Sequence, residues 1–452
     1  MGRLLKAQAT SREHAVELIF DWLGNEFSKC TYNETTGIYE GSFVGDSHIR
    51  YNHYAADFGA EYVGIEIGAG IKNAAGGIAY TRGATRQYGR SGWWVEHSDW
   101  CTGKYVNYTG DPSAWGEGGG YHDELTGRHP GSKRLMHYLE YMSGAAWVRT
   151  DAQLNFYASK FDESGVRYVL TPHGKVLQEV TEMIERNPDR GIPYAPFGVV
   201  MDYYYGFPYA TYLEYLVFET FAPNAGDYMT RDINMMFWPD TWPDGNIAKH
   251  EGAMVASPYG DTADFLLQNA SQEVLDSYPV IILSGAIQFK EGEAERYVKY
   301  VENGGVLLLN TAFQSQLDAF SQLPIGEYQY GTNGGRVIVY GPDYDITALP
   351  AIMEELMKEF FPFEISGKVE YLLNIKDGSL VLTIINNEGV EKPDFDLAIE
   401  DANATQTIDI HYTGTNKVLE VRDWITGELL PASGDQTVTI GPEDLVILEF
   451  VL

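Results

Sequence analysis

Residues 62–68 read YVGIEIG, residues 80–89 read YTRGATRQYG, and residues 92–100 read GWWVEHSDW. The first and third are short apolar runs, and each carries a carboxylate near its end, Glu66 and Glu96. A Gly/Ala-rich connector and a helical pattern over 77–88 lie between them. Strand, crossover helix and strand imply two parallel neighbours. Parallel β/α barrels carry their chemistry at the carboxyl ends of the strands, so Glu66 and Glu96 are the catalytic candidates. Glu96 sits among Trp93, Trp94, His97, Asp99 and Trp100. Acidic groups beside flat aromatic rings suit a sugar, whose C–H faces pack on the rings while its hydroxyls need polar partners.

The alternation continues outward. Residues 12–29 carry apolar positions at Val16, Ile19, Phe20, Leu23 and Phe27, a helical spacing. Further on, 132–143 and 174–186 read as helices, 146–150 as a strand ending at Asp151, and 192–201 as another strand. The loop at 101–130 exceeds the roughly 12–15 residues usual for compact domains, a sign of function. It carries Trp115, Tyr121, His122, Asp123, Glu124 and Arg128. From 212 to 365 a second α/β pattern appears. Its runs at 280–284 and 306–310 are uniformly apolar, as in doubly covered parallel strands. No G-x-G-x-x-G opens a helix there, so a dinucleotide site is not indicated. From 366 onward the period becomes two, with turn signals at 376–378, 386–389 and 426–427. The expected fold class is therefore α/β. A (β/α) TIM-type barrel over 1–211, incomplete in its early strands, precedes a flavodoxin-like α/β domain over 212–365. An antiparallel β-sandwich over 366–452 ends the chain.

Composition narrows the partners. The chain has 452 residues and a formal net charge of −33, with no local basic stripe. Nucleic-acid phosphate would repel it, so no nucleic-acid partner is expected. No apolar run has membrane-spanning length, so no membrane partner is expected either. The N-terminal sequence lacks the apolar core of a secretion signal, which reads as cytoplasmic, or as secreted if a precursor segment is removed. Cys30 and Cys101 cannot build a four-thiolate metal site.

Several stretches carry a family resemblance. HYAADFGAEYVGIEIG (53–68) and YTRGATRQYGRSGWWVEHSDW (80–100) look like late barrel strands. KRLMHYLEYMSGAAWVRTDAQLNFY (133–157) looks like the last barrel helix and strand. VRYVLTPHGKVLQEVTEMIERNPDRGIPYAPFGVVMDY (166–203) looks like the segment leaving the barrel. VEYLLNIKDGSLVLTIINNEGV (369–390) and GPEDLVILEF (441–450) look like a terminal sandwich. Together they resemble the β-galactosidases of glycoside hydrolase family 42 and related clan-A glycosidases. The resemblance implies a glycoside hydrolase, β-glycosidase-like, acting on an oligo- or polysaccharide. It also implies a homo-oligomer, an expectation that the incomplete barrel shares. Two departures stand out. A complete barrel takes about 250 residues, more than precede the second domain. The family's acid/base glutamate follows an Asn at a strand end. The pairs Asn25-Glu26, Asn33-Glu34 and Asn387-Glu388 occupy a helix, a turn and the sandwich instead. The acid/base role is therefore not carried over.

Glycoside hydrolysis needs two carboxyl groups, about 5–5.5 Å apart in retaining enzymes and about 6.5–9.5 Å apart in inverting ones. Glu66 is read as nucleophile or base and Glu96 as its partner acid. The bland alternative for Glu66 is an ion pair with Arg82 or Arg86, and for Glu96 a hydrogen-bonded strand end. Asp151, Glu124, Trp100, Trp115, His97 and Arg149 are the substrate-binding candidates. Of these, Asp151 serves equally well as a cap, Glu124 as a solvated loop acid, and Arg149 as a partner of Asp151. No cofactor is expected. Asp46, His48, His97, Asp99 and His122 lack metal-site spacing, so no metal is assigned. A non-catalytic carbohydrate-binding or scaffold protein is the second reading, and a metal-dependent enzyme the third.

Overall fold

The strands Tyr62–Gly68, Gly92–Ser98 and Trp147–Thr150 pair in parallel, in that spatial order. Helix Ala74–Gln87 connects the first to the second, and helix Pro130–Met142 precedes the third. This is a computed structural model, and it describes residues 9–27, 31–33, 38–40, 52–68, 74–98, 129–150, 157–162, 165–204, 221, 223–239, 255–391 and 397–452. Among the described residues each outer strand has a neighbour on one side only, so the sheet is open. The closed barrel expected over 1–211 is not seen as a ring. One face of the sheet, with Val63, Ile65, Ile67, Trp93 and Val95, is fully buried, as a crossover helix packed on a parallel sheet requires. No helix among the described residues is long and apolar enough to cross a membrane.

A six-stranded sheet follows, ordered Ala263–Leu267, Phe197–Met201, Val280–Leu283, Val306–Asn310, Gly335–Tyr340, Gly326–Tyr330. Its first five strands are parallel and the last is antiparallel. Every residue of VIIL (280–283) and VLLLN (306–310) is buried, as expected of strands covered on both faces. Phe197–Met201 falls within the stretch read above as barrel, yet it pairs with Ala263–Leu267 and Val280–Leu283. Two larger antiparallel sheets end the chain, with a two-stranded ribbon of Val390–Glu391 and Ile399–Glu400 beside them in sequence. One runs Leu429–Leu430, Glu420–Asp423, Asp444–Val451, Ser379–Asn386, Glu370–Lys376, Ile192–Pro193; the other runs Phe363–Ile365, Gln406–Tyr412, Asp435–Ile440. Leu382, Ile384, Leu448 and Phe450 from the first share an apolar core with Ile408, Ile410 and Ile440 from the second.

Helix Ala74–Gln87 locks the three-stranded sheet to the six-stranded one. Its sequence, AAGGIAYTRGATRQ, is small enough for close backbone approach against the edge strand Ala263–Leu267. At Gly83 a Cβ would stand 1.9 Å from the Phe265 carbonyl oxygen. That neighbour is backbone and cannot swing aside. Gly83→Ala is expected to destabilise by about 1–3 kcal/mol, read as a lower urea midpoint. Arg82 and Arg86 reach across the same junction, where Arg82 binds Asp261 and Asp264 and Arg86 binds Asp264.

His53, fully buried beside this helix, lies with Nε2 2.9 Å from the Phe265 carbonyl oxygen. Burial pushes its pKa down to about 4, against the weaker pull of that hydrogen bond. Its contribution to stability is therefore complete above pH 6.5 and is lost as pH falls from 6.5 to about 4. Asp202, pushed up to about 6 by burial, gives the opposite slope: its contribution is complete below pH 3.8 and lost as pH rises to about 6. The stability difference between wild type and His53→Gln isolates the histidine. From pH 7 to pH 4.5 that difference should shift against the wild type by about 2 kcal/mol in urea titrations.

Candidate active site

Backbone register brings the two carboxylate positions together. Glu66 pairs with Glu96, and Glu96 pairs with Arg149 on the third strand. Adjacent strands lie about 4.8 Å apart, so the three positions form one short row across the carboxyl end of the sheet. The Glu96 side chain is 11% exposed. Arg149 holds Nε 3.6 Å from Glu96 Oε1 and leaves over half of its own side chain in solvent. A positive charge thus stands beside the carboxylate at the open edge of the sheet.

One pleat toward the strand starts lies an aromatic row. Gly64 pairs with Trp94, and Trp94 with Trp147. The two indoles stack with centroids 5.7 Å apart and planes 15° from parallel. Tyr62 packs on Trp147 from the first strand, 4.8 Å between centroids. Gly64 makes the stack possible, since a Cβ there would come within 2.7 Å of the Trp94 ring. Trp94 is buried, while Trp147 is 38% exposed and offers a free flank. Trp93 is buried on the other face, so only one of this adjacent pair joins the row, as strand alternation requires.

The remaining candidates divide. His97 follows Glu96 and therefore turns to the opposite face, toward helix Pro130–Met142, where it is fully buried. It does not join the carboxylate row. Glu124, Asp151, Trp100 and Trp115, together with the side chain of Glu66, lie outside the described residues. So do Asp46, His48, Asp99 and His122. Arg82 and Arg86, the ion-pair partners considered for Glu66, bind Asp261 and Asp264. Sequence reading passed over His137 and Glu140, which meet His97 from the helix. Their spacing of three, on one helix face, was a usable signal.

The fold and this row define a mixed α/β protein with acidic and aromatic groups at a parallel-sheet end. No protein-family profile matches the sequence, and no curated protein matches it. Solved structures do match. Gan42B, a GH42 β-galactosidase from G. stearothermophilus, superposes with a TM-score of 0.53 at 12% identity, over 91% of this chain and 63% of that one. Alpha-L-fucosidase isoenzyme 2 from Paenibacillus thiaminolyticus gives 0.53 at 11% identity, over 90% and 68%. A β-galactosidase from Rahnella sp. R3 gives 0.50 at 11% identity, over 88% and 61%. The chain has a fold like that of part of the GH42 β-galactosidase Gan42B. It spans 63% of the length of Gan42B and 35% of that of a rhamnosidase from Novosphingobium sp. PP1Y.

Proposed function

We propose that this chain belongs to a glycoside hydrolase that acts on an oligo- or polysaccharide by carboxylate acid/base chemistry, in the manner of a β-glycosidase. The observation that carries the reading is the register pairing of Glu66 with Glu96 at the carboxyl end of a parallel sheet, one pleat from the Trp94–Trp147 stack. Such a row supplies two acids on one face and an aromatic platform for a sugar ring. Glu66 is assigned as nucleophile or base, Glu96 as its partner acid, and Arg149 as a substrate-binding group beside Glu96. Asp151, Glu124, Trp100 and Trp115 stay assigned to substrate contact. The likeness of fold to GH42 β-galactosidases supports the reading.

The layout proposed with it is a barrel-type unit, a flavodoxin-like unit and a terminal β-sandwich. We place the first boundary near residue 190 rather than 211, because Phe197–Met201 pairs within the six-stranded sheet. A homo-oligomer is part of the proposal, and light scattering showing only monomer would count against it. A second reading, a non-catalytic carbohydrate-binding protein, is favoured by the Glu96–Arg149 ion pair, which is what a purely structural carboxylate would make. A panel of chromogenic glycosides and polysaccharides separates the two. Turnover that disappears in Glu66→Gln and Glu96→Gln supports the hydrolase; binding without turnover leaves the binding protein.

A further inference from the structure

Behind the carboxylate row, three metal-ligating side chains meet in the interior. His97 comes from the strand Gly92–Ser98, and His137 and Glu140 from helix Pro130–Met142. His97 Nε2 lies 2.7 Å from Glu140 Oε1, and His137 Nδ1 lies 3.4 Å from Glu140 Oε2. The two imidazoles are 4.9 Å apart, edge to face at 61°. One donor atom from each residue lies within 4.8 Å of the others. All three side chains are at most 5% exposed.

We propose that His97, His137 and Glu140 bind a divalent transition-metal ion of the zinc type. The donor set argues for that class. Two imidazoles and one carboxylate suit Zn²⁺, Co²⁺ and Ni²⁺, whereas Mg²⁺ and Ca²⁺ prefer all-oxygen shells. Metal–donor bonds of about 2.0–2.1 Å in a tetrahedron put donors about 3.3 Å apart. The His97–Glu140 and His137–Glu140 separations of 2.7 and 3.4 Å, to the two carboxylate oxygens, bracket that value, and the widest donor spacing, within 4.8 Å, closes on it by side-chain rotation. His137 Nε2 is buried and has no hydrogen-bond partner among the described residues. Lys133, from the same helix, opposes a second cation near His137 and weakens the site relative to a four-ligand structural zinc. The ion would pin the strand that carries Glu96 to its helix. The inference does not depend on the glycosidase reading.

The test uses the whole chain, stripped with a chelator and dialysed. It is titrated with ZnCl₂ by calorimetry and with CoCl₂ by visible absorption. The expected result is one ion per chain, an intense tetrahedral Co²⁺ spectrum, and a melting temperature that rises with Zn²⁺ but not with Mg²⁺ or Ca²⁺. His137→Gln and Glu140→Gln should each weaken binding by at least about tenfold. His411→Asn, at the exposed pair with Asp435, should leave it unchanged. No saturable binding by the wild type overturns the proposal, as does unchanged affinity in both ligand variants. Should those variants fail to fold, the wild-type spectrum decides alone: octahedral, weakly absorbing Co²⁺ overturns it.

Discussion

Arg82→Met is expected to lower stability by about 3–5 kcal/mol at neutral pH, because it leaves buried carboxylates without their cation. The Arg82 fork donates to Asp261 through Nη1 at 2.7 Å and Nη2 at 2.9 Å, and to Asp264 through Nε at 2.7 Å. Both aspartates are fully buried at the side chain. Asp264 keeps Arg86 and the Tyr278 hydroxyl in the variant. Asp261 keeps the Ser143 hydroxyl, which donates to it at 3.2 Å. Glu370 reports the same charge. Burial, and then the Asp261 charge, push its carboxyl well above the usual range, so it already resists ionisation beside Asp261. Arg82 is the cation that keeps this acidic pocket tolerable.

The pH dependence gives the check a sign. Burial opposes ionisation of Asp264, but the Arg82 and Arg86 guanidiniums outweigh it and hold its pKa below the usual carboxylate range. In the wild type that contribution is complete above about pH 3.8 and fades as pH falls through the lowered value. Without Arg82 the carboxyls are destabilised when charged, so the deficit of the variant should shrink as pH falls toward 4. Arg82→Met/Asp261→Asn should recover part of the loss, as expected of groups coupled in one network. Urea titrations at pH 7 and pH 4.5 decide it. A deficit under about 1 kcal/mol, or one that does not depend on pH, would refute the role given to Arg82.

These contacts explain where the sequence is readable and where it is not. The strands at 62–68 and 92–98 and the helices around 80, 135 and 180 follow from local periodicity, and the structure has them within a few residues. The pairing of Glu66 with Glu96 follows from strand, crossover and strand. The assignment of Phe197–Met201 does not. Five apolar residues buried throughout suit a barrel strand or a doubly wound sheet equally, and only its partners at 263–267 and 280–283 decide. Arg82 pairs with acids 179 and 182 positions away, which no local pattern encodes. His97 meets His137 and Glu140 because a helix packs on the back of its strand. The alternation rule predicts that His97 leaves the Glu96 face, but not what waits on the other side.

Glu96→Gln is expected to lower kcat by about 10²–10⁴, or about 3–5 kcal/mol of transition-state stabilisation, if Glu96 takes part in proton transfer or attack. Gln keeps the shape and removes the ionisable group, so substrate binding to the Trp94–Trp147 flank should survive. The loss should therefore fall on kcat and kcat/KM together, with KM nearly unchanged. A structural carboxylate behaves otherwise. If Glu96 only anchors Arg149, then Glu96→Gln and Arg149→Met should cost similar stability and leave equal residual activity. The pH profile separates the roles of the pair. The variant that removes the base loses the acidic limb of the kcat/KM profile, and the variant that removes the acid loses the alkaline limb. Loss of the acidic limb in Glu66→Gln and of the alkaline limb in Glu96→Gln matches the assignment made here. The reverse pattern exchanges the two roles while keeping the site, and retention of both limbs in both variants removes the pair from the chemistry.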